Sequence, residues 1–369
     1  MLSPKFIIIA LSLLSTFALN HRAKAGLYGF DNITPYTQDE NILHMDYLPE
    51  HIPNYRALMR DNLLMLMDYA RSHNPNFQII AHEGQVLLAK SRWEYDLEGY
   101  NQVRRKETGT KDPYFLIDNK IARNHPAEGT PAYQYLHGIN AIVLNNLYCG
   151  KGQEEDLTIN HNLGLISIEN CPNEQMLDQA IMRSLLDNKI IYGFSNLKSA
   201  FKDLNSQPLI NDSASNIYQV SQAKNITFLL NDKNYNSKEE ILNEIASSNY
   251  DIVIINPIFQ HSQPFSIEDI NRIKLKKNGA RRLIIAEINV SEASTTDYFW
   301  NPRWKLNNPS WLVRKSFVSK NSYITRYWDE EWKKIISRYF KDIVRSGYDG
   351  AFFTGIENHQ YFEHETPLE

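Results

Sequence analysis

The chain has 369 residues, 42% of them hydrophobic and 22% charged, with a formal net charge of −4 at pH 7. The apolar share allows a real core, and the slightly acidic balance argues against a nucleic-acid partner, which calls for a basic surface. Two cysteines, Cys149 and Cys171, are too few for a disulfide framework, although in an exported chain they can pair.

In chain order, an export signal comes first. Lys5 supplies a positive region, Phe6 to Leu19 form an apolar run, and Ala23-Lys24-Ala25 gives a small-x-small cleavage site. The run is shorter than the roughly 20 apolar residues of a membrane span. The expectation is a signal peptide over residues 1–25, a mature chain over 26–369 starting at Gly26, and a secreted or periplasmic location without a stable membrane span.

Residues 54–72 place Tyr55, Leu58, Met59, Leu63, Leu66, Met67 and Ala70 on one helical face. Strands are predicted at 77–81, 140–144, 189–194, 226–230, 251–255, 282–288, 323–327 and 350–353. Most are continuous apolar runs, the pattern of parallel strands buried on both faces. Between them, Ser237 with Glu240 and Ser266 with Asp269 open helices by capping boxes. Asp329 caps a third, with a stripe of Trp332, Ile335, Ile336, Tyr339 and Ile343 ending at Gly347. Residues 99–135 and 151–172 are polar and irregular, and read as insertions. The fold class predicted is α/β, a single (β/α)8 TIM barrel with long loop insertions; a doubly wound open sheet is the alternative.

No cysteine and histidine cluster has zinc spacing, and there is neither a Gly-rich phosphate loop nor a Gly-x-Ser-x-Gly elbow. No metal and no cofactor are therefore expected. The 21 Tyr and 6 Trp supply flat rings with polar tips, which suit sugar as well as ordinary core packing.

From Asn249 onward several short motifs occur in a telling order. They are Asp251-Ile-Val-Ile-Ile-Asn256, Leu283 to Ala293, Trp300, Trp304, Pro309 to Leu312, Ile324 to Asp329, and Gly347 to Phe353. Together they resemble the glycoside hydrolase family 114 barrel, whose characterised activity is endo-α-1,4-polygalactosaminidase. Tyr69 to Phe77, Gly138 to Gly150 and Lys189 to Ser195 resemble later elements of that family but here come first, an order that circular permutation would produce.

The resemblance implies an acidic mouth, since glycosidic hydrolysis uses two carboxyl groups flanking the bond. Carried over residue by residue, several acids are missing: Asn256, Ser294, Thr354, Gln85, Asn145, Asn146 and Phe194 stand at family acid positions. Glu292 and Glu357 keep theirs, and Glu83 is an additional one. Glu292 is the leading catalytic candidate, with Glu357 and Glu83 as partners; each also suits a structural turn or an exposed loop. Asn256, Glu287, Tyr327, Trp328, His82, Asn145 and Thr354 are expected to bind substrate. Glu287, inside a strand, would have a raised pKa if it faced the mouth. Asp349 precedes its strand and is expected on the opposite face.

The leading expectation is an exported glycoside hydrolase acting on an amino-sugar-containing polysaccharide. The alternative is a catalytically degenerate barrel that binds glycan or a protein partner without hydrolysis. A third reading is a secreted interaction protein with a filled mouth and an apolar surface patch.

Overall fold

The computed structural model describes residues 52–108, 129–150, 163–194 and 209–366. The expected signal peptide lies outside these residues, as do parts of both expected insertions. No described helix is long and apolar enough to cross a membrane.

Helix α1 (Tyr55–His73) begins where the Asn54 side chain accepts the Ala57 N–H, and it buries Tyr55, Met59, Leu63, Leu66, Met67 and Ala70. The chain continues through β1 (Gln78–His82), α2 (Arg92–Thr108), α3 (Tyr133–Gly138), β2 (Ala141–Asn145), β3 (Gly164–Asn170), α4 (Glu174–Leu186), β4 (Ile190–Phe194) and β5 (Ile226–Leu229). Next come α5 (Lys238–Ala246), β6 (Ile252–Ile255), the hairpin β7 (Ile258–Phe259) and β8 (Gln263–Pro264), α6 (Ile267–Ile273) and β9 (Leu283–Asn289). A three-stranded antiparallel sheet follows: β10 (Glu292–Ser294), β11 (Leu312–Lys315) and β12 (Ser322–Thr325). The chain then forms α7 (Glu330–Arg345), β13 (Gly350–Thr354) and α8 (His359–Glu365).

Eight of these strands make one parallel sheet in the order β4-β3-β2-β1-β13-β9-β6-β5. The order follows the chain around a ring, and the Tyr192 and Phe228 rings meet edge to face at 5.2 Å where β4 comes against β5. The result is a nearly closed (β/α)8 barrel. First and last strands pair, with Gln78 beside Gly350. Any barrel that runs sequentially does the same, so the pairing does not separate a permuted chain from an unpermuted one.

The period of two along each strand sorts side chains into two layers. Ile80, Val143, Ile166, Ile254, Ile285 and Phe352 fill the barrel interior. Their neighbours Ile79, Val253, Ile284, Ala351 and Phe353 face the helices. Helix α7 covers that outer layer with Trp332, Ile336, Phe340 and Ile343, each stabilising by about 1.5–3 kcal/mol when fully buried. At the N-terminal end, Lys276 pairs with Asp251 with both side chains fully buried, while Arg281 and Lys274 hold Asp349. Asp349 thus sits on the face opposite the mouth.

Two strand expectations need correction. Residues 323–327 do not form a barrel strand; β12 pairs antiparallel with β10 and β11 outside the ring. The missing barrel strand is β3, inside the stretch expected to be irregular. Its polar Ser167 and Glu169 are fully buried on the outward side while Ile166 and Ile168 fill the interior. That alternation hides it from a search for continuous apolar runs. Part of the other expected insertion is also regular, because α2 extends to Thr108.

Candidate active site

Continuing the inward phase of each strand by two residues leads to the C-terminal mouth. Beyond Ile80 comes His82, beyond Val143 Asn145, beyond Ile254 Asn256, beyond Ile285 Glu287, and beyond Phe352 Thr354. All five line one cavity of about 480 Å³, together with Glu83, Glu292, Glu357, Asn289 and Asn358. The interior below is mostly aliphatic, with Phe352 in edge contact with both His82 and Phe228. Eight of the ten sequence-predicted residues therefore converge.

Tyr327 and Trp328 do not. Tyr327 is fully buried and donates its hydroxyl to the Tyr55 carbonyl at 2.7 Å. Trp328 lies in the same aromatic cluster, 5.2 Å from the Tyr55 ring and 4.6 Å from that of Phe362. Both belong to the packing between α1 and α8, so the expectation that they bind substrate is corrected.

The rim is stitched strand to strand by side chains that accept backbone N–H groups. Glu357 takes the Gly84 N–H at 2.6 Å, Glu83 takes that of Asn145 at 3.0 Å, and Asn146 takes that of Asn170 at 2.8 Å. Glu83 and Asn146 adopt left-handed φ values of 55° and 54° to do so, strain that persists only where surroundings demand it. Glu83 and Glu357 thus each spend at least one oxygen on the frame.

The other two glutamates are held by side chains. Glu287 Oε1 accepts from the Thr354 hydroxyl at 2.6 Å. Burial pushes the Glu287 carboxyl up to about 6; the negative charge of Glu292 adds to this, and the Thr354 bond opposes it. Glu292 Oε1 accepts from the Ser316 hydroxyl at 2.9 Å and the Asn358 amide at 3.3 Å. Burial raises its pKa as well, against those two bonds. The Asn289 side chain accepts the Ser291 and Glu292 N–H groups, which fixes the turn carrying Glu292.

A third acid escaped the sequence reading. Asp297 lies in an adjoining pocket of about 60 Å³ that shares Glu287, Glu292, Asn256 and Asn289 with the main cavity. Its Oδ2 accepts the Ser294 N–H at 2.7 Å. Burial and then the charges of Glu287 and Glu292 raise it to about 7. All three carboxyls are therefore harder to ionise than those of an exposed acidic patch. Nothing in local periodicity marks Asp297; its position after the β10 strand is the sole clue.

His82 is kept neutral. Burial lowers its pKa to about 4, and its Nε2 lies 3.3 Å from the Asn145 amide nitrogen, consistent with an accepting ring nitrogen. Asn256 Oδ1 accepts the Ile258 N–H and bends the chain away after β6. Just beyond the ends of β2 and β3, Cys149 and Cys171 form a disulfide with a Cα–Cα distance of 5.3 Å. Beside it, Glu169 accepts the Tyr148 and Cys149 N–H groups. These sulfurs and Glu169 lie within metal-ligating range of one another, but disulfide sulfur carries no thiolate charge to hold an ion.

No family model matches the chain. It is 30% identical over 152 residues to an uncharacterized protein of Methanocaldococcus jannaschii, a match covering 40% of this chain and 42% of the relative. An uncharacterized protein of Thermotoga maritima is 27% identical over 124 residues, and one of Deinococcus radiodurans 22% over 119 residues. These matches span 33% and 32% of this chain, and 37% of each relative. The chain thus spans well under half the length of the relatives it matches.

Proposed function

We propose that the chain is an exported glycoside hydrolase similar to family 114, acting on an amino-sugar-containing polysaccharide. The observation that carries this reading is the pair Glu287 and Glu292, two carboxyls in one barrel mouth that burial makes harder to ionise, with the Glu292 charge raising Glu287 further. Glycosidic hydrolysis uses one carboxyl group that holds a proton near neutral pH and a second that is ionised. Glu287, raised to about 6, suits donation to the leaving oxygen. Glu292, held by Ser316 and Asn358, suits activation of water or attack on the sugar. Glu83 and Glu357 are reassigned from catalytic partners to rim supports that can also contact substrate.

The cavity wall also carries Asp232, and its amides and hydroxyls, such as Asn256 and Thr354, suit sugar hydroxyls. Negative potential from these acids favours a sugar bearing a free ammonium group. The Cys149–Cys171 disulfide supports an oxidising, exported location. Circular permutation remains the proposed account of the motif order.

Pure protein incubated with α-1,4-linked galactosamine polymer should release reducing ends, and Glu287→Gln and Glu292→Gln should each remove most of that rate. Release that survives both substitutions would sink the assignment. The second reading, binding without turnover, is favoured by the engagement of Glu83 and Glu357 with backbone amides. It predicts measurable affinity for the polymer with no reducing-end release.

A further inference from the structure

Apart from the Ser316 hydroxyl that donates to Glu292, the turn between β11 and β12 takes no part in the acid chemistry above, yet it forms one wall of the cavity through Phe317, Val318 and Ser319. Phe317 and Val318 remain 36% and 48% exposed. Their exposed apolar surface borders the cavity, where the apolar face of a ligand would remove it from water. The Phe317 ring is also held in place. The Arg314 guanidinium lies 4.3 Å from its centroid and 5.7 Å from that of Tyr361, and the two rings meet edge to face.

One hydroxyl ties this turn to the acid pair. Ser316 Oγ accepts the Val318 N–H at 3.2 Å and the Ser319 N–H at 3.3 Å, which shapes the tip. The same Oγ donates to Glu292 Oε1 at 2.9 Å. A displacement of the tip therefore moves a hydrogen-bond donor of Glu292.

Resting on the glycosidase reading, we propose that this turn is a sugar-binding element in which Phe317 is the platform for a pyranose ring and Ser316 relates that ring to Glu292. A pyranose has one face of C–H groups and an edge of hydroxyl or amino groups. Stacking the first on Phe317 removes both apolar surfaces from water and turns the polar edge towards the carboxyls and amides of the mouth. Arg314 sits behind the platform and holds it without entering the sugar's chemistry.

The test is calorimetric titration of the full chain with an α-1,4-linked galactosamine pentasaccharide, alongside reducing-end release from the same oligomer. Phe317→Ala should weaken binding about tenfold, and Phe317→Trp, which restores a flat ring, should return it to within about threefold. Phe317→Leu keeps apolar bulk without the flat face and should behave like Phe317→Ala, which separates stacking from folding should the alanine variant be unstable. If the wild type binds and Phe317→Ala matches it to within about twofold, the platform is wrong while the glycosidase reading stands. If the wild type neither binds nor cleaves the oligomer, both fall.

Discussion

Thr354 Oγ1 lies 2.6 Å from Glu287 Oε1 and donates to it, across the ladder that sets Thr354 beside Asn289 and Phe352 beside Glu287. The bond favours the charged carboxylate and partly offsets burial, leaving the Glu287 pKa at about 6. Thr354→Val keeps the shape and removes the donor. Its expected effect is a Glu287 pKa above about 6, read by carbon-13 carboxyl titration and as a shift of the basic limb of the activity profile to higher pH. A pKa that falls would contradict the role given to this hydroxyl.

The acid cluster also sets how stability depends on pH. Glu287 and Asp297 have folded pKa values of about 6 and about 7, above their ordinary values of 4.5 and 3.8. The folded state therefore binds more protons than the unfolded one between those values, and stability falls as pH rises through them. Below about pH 4 both forms are protonated and the effect vanishes. Asp297→Asn should accordingly raise the melting temperature at pH 8, with the gain shrinking as the pH is lowered to 4. A variant that melts lower than the wild type at pH 8 would mean that the Ser294 contact outweighs the trapped charge.

Gly355 is required by its surroundings. Its φ is +77°, and a Cβ there would overlap Asn289 Oδ1 and lie 2.7 Å from Ser291 Oγ. Asn289 is the side chain that fixes the Glu292 turn, so strain at Gly355 is transmitted to the acid. Gly355→Ala should destabilise by about 1–3 kcal/mol in urea unfolding and shift the Glu292 titration. Unchanged stability together with an unchanged titration would show that the turn relaxes freely.

The disulfide closes a sequence separation of 22 residues between the β2 and β3 ends. Replacing both cysteines with serine should lower the unfolding free energy by about 2–4 kcal/mol. Wild type in dithiothreitol should fall by a similar amount. A midpoint unchanged in both would mean that Glu169, with its bonds to Tyr148 and Cys149, holds the loop by itself.

Much of the architecture was legible in local pattern. Runs such as Ile252–Ile255 are apolar on both faces because the barrel interior and the helix layer each bury one face, and α7 shows its stripe plainly. The strand Gly164–Asn170 was not legible, because the burial of Glu169 depends on the Ser167 hydroxyl and the Tyr148 and Cys149 amides that donate to it. Likewise Ser322–Thr325 has barrel-strand composition, but its partners β10 and β11 draw it into a separate antiparallel sheet. Tyr327 was misjudged for a related reason. Its ring and hydroxyl suit sugar, yet its partner Tyr55 lies 272 residues away in sequence.

By itself the sequence determined the apolar runs of most barrel strands, while motif resemblance and strand position singled out His82, Asn145, Asn256, Glu287 and Thr354 as substrate-binding candidates. Those runs are apolar on both faces, so which residues point into the barrel followed from the closed sheet and not from local pattern. Only the tertiary structure decided how the acids divide their work. It committed an oxygen each of Glu83 and Glu357 to backbone amides, left Glu287 and Glu292 to hydroxyl and amide donors, and added Asp297 behind them. The reason is electrostatic: a carboxyl's proton affinity depends on burial and on neighbouring charges brought together from separate segments, which no local pattern encodes.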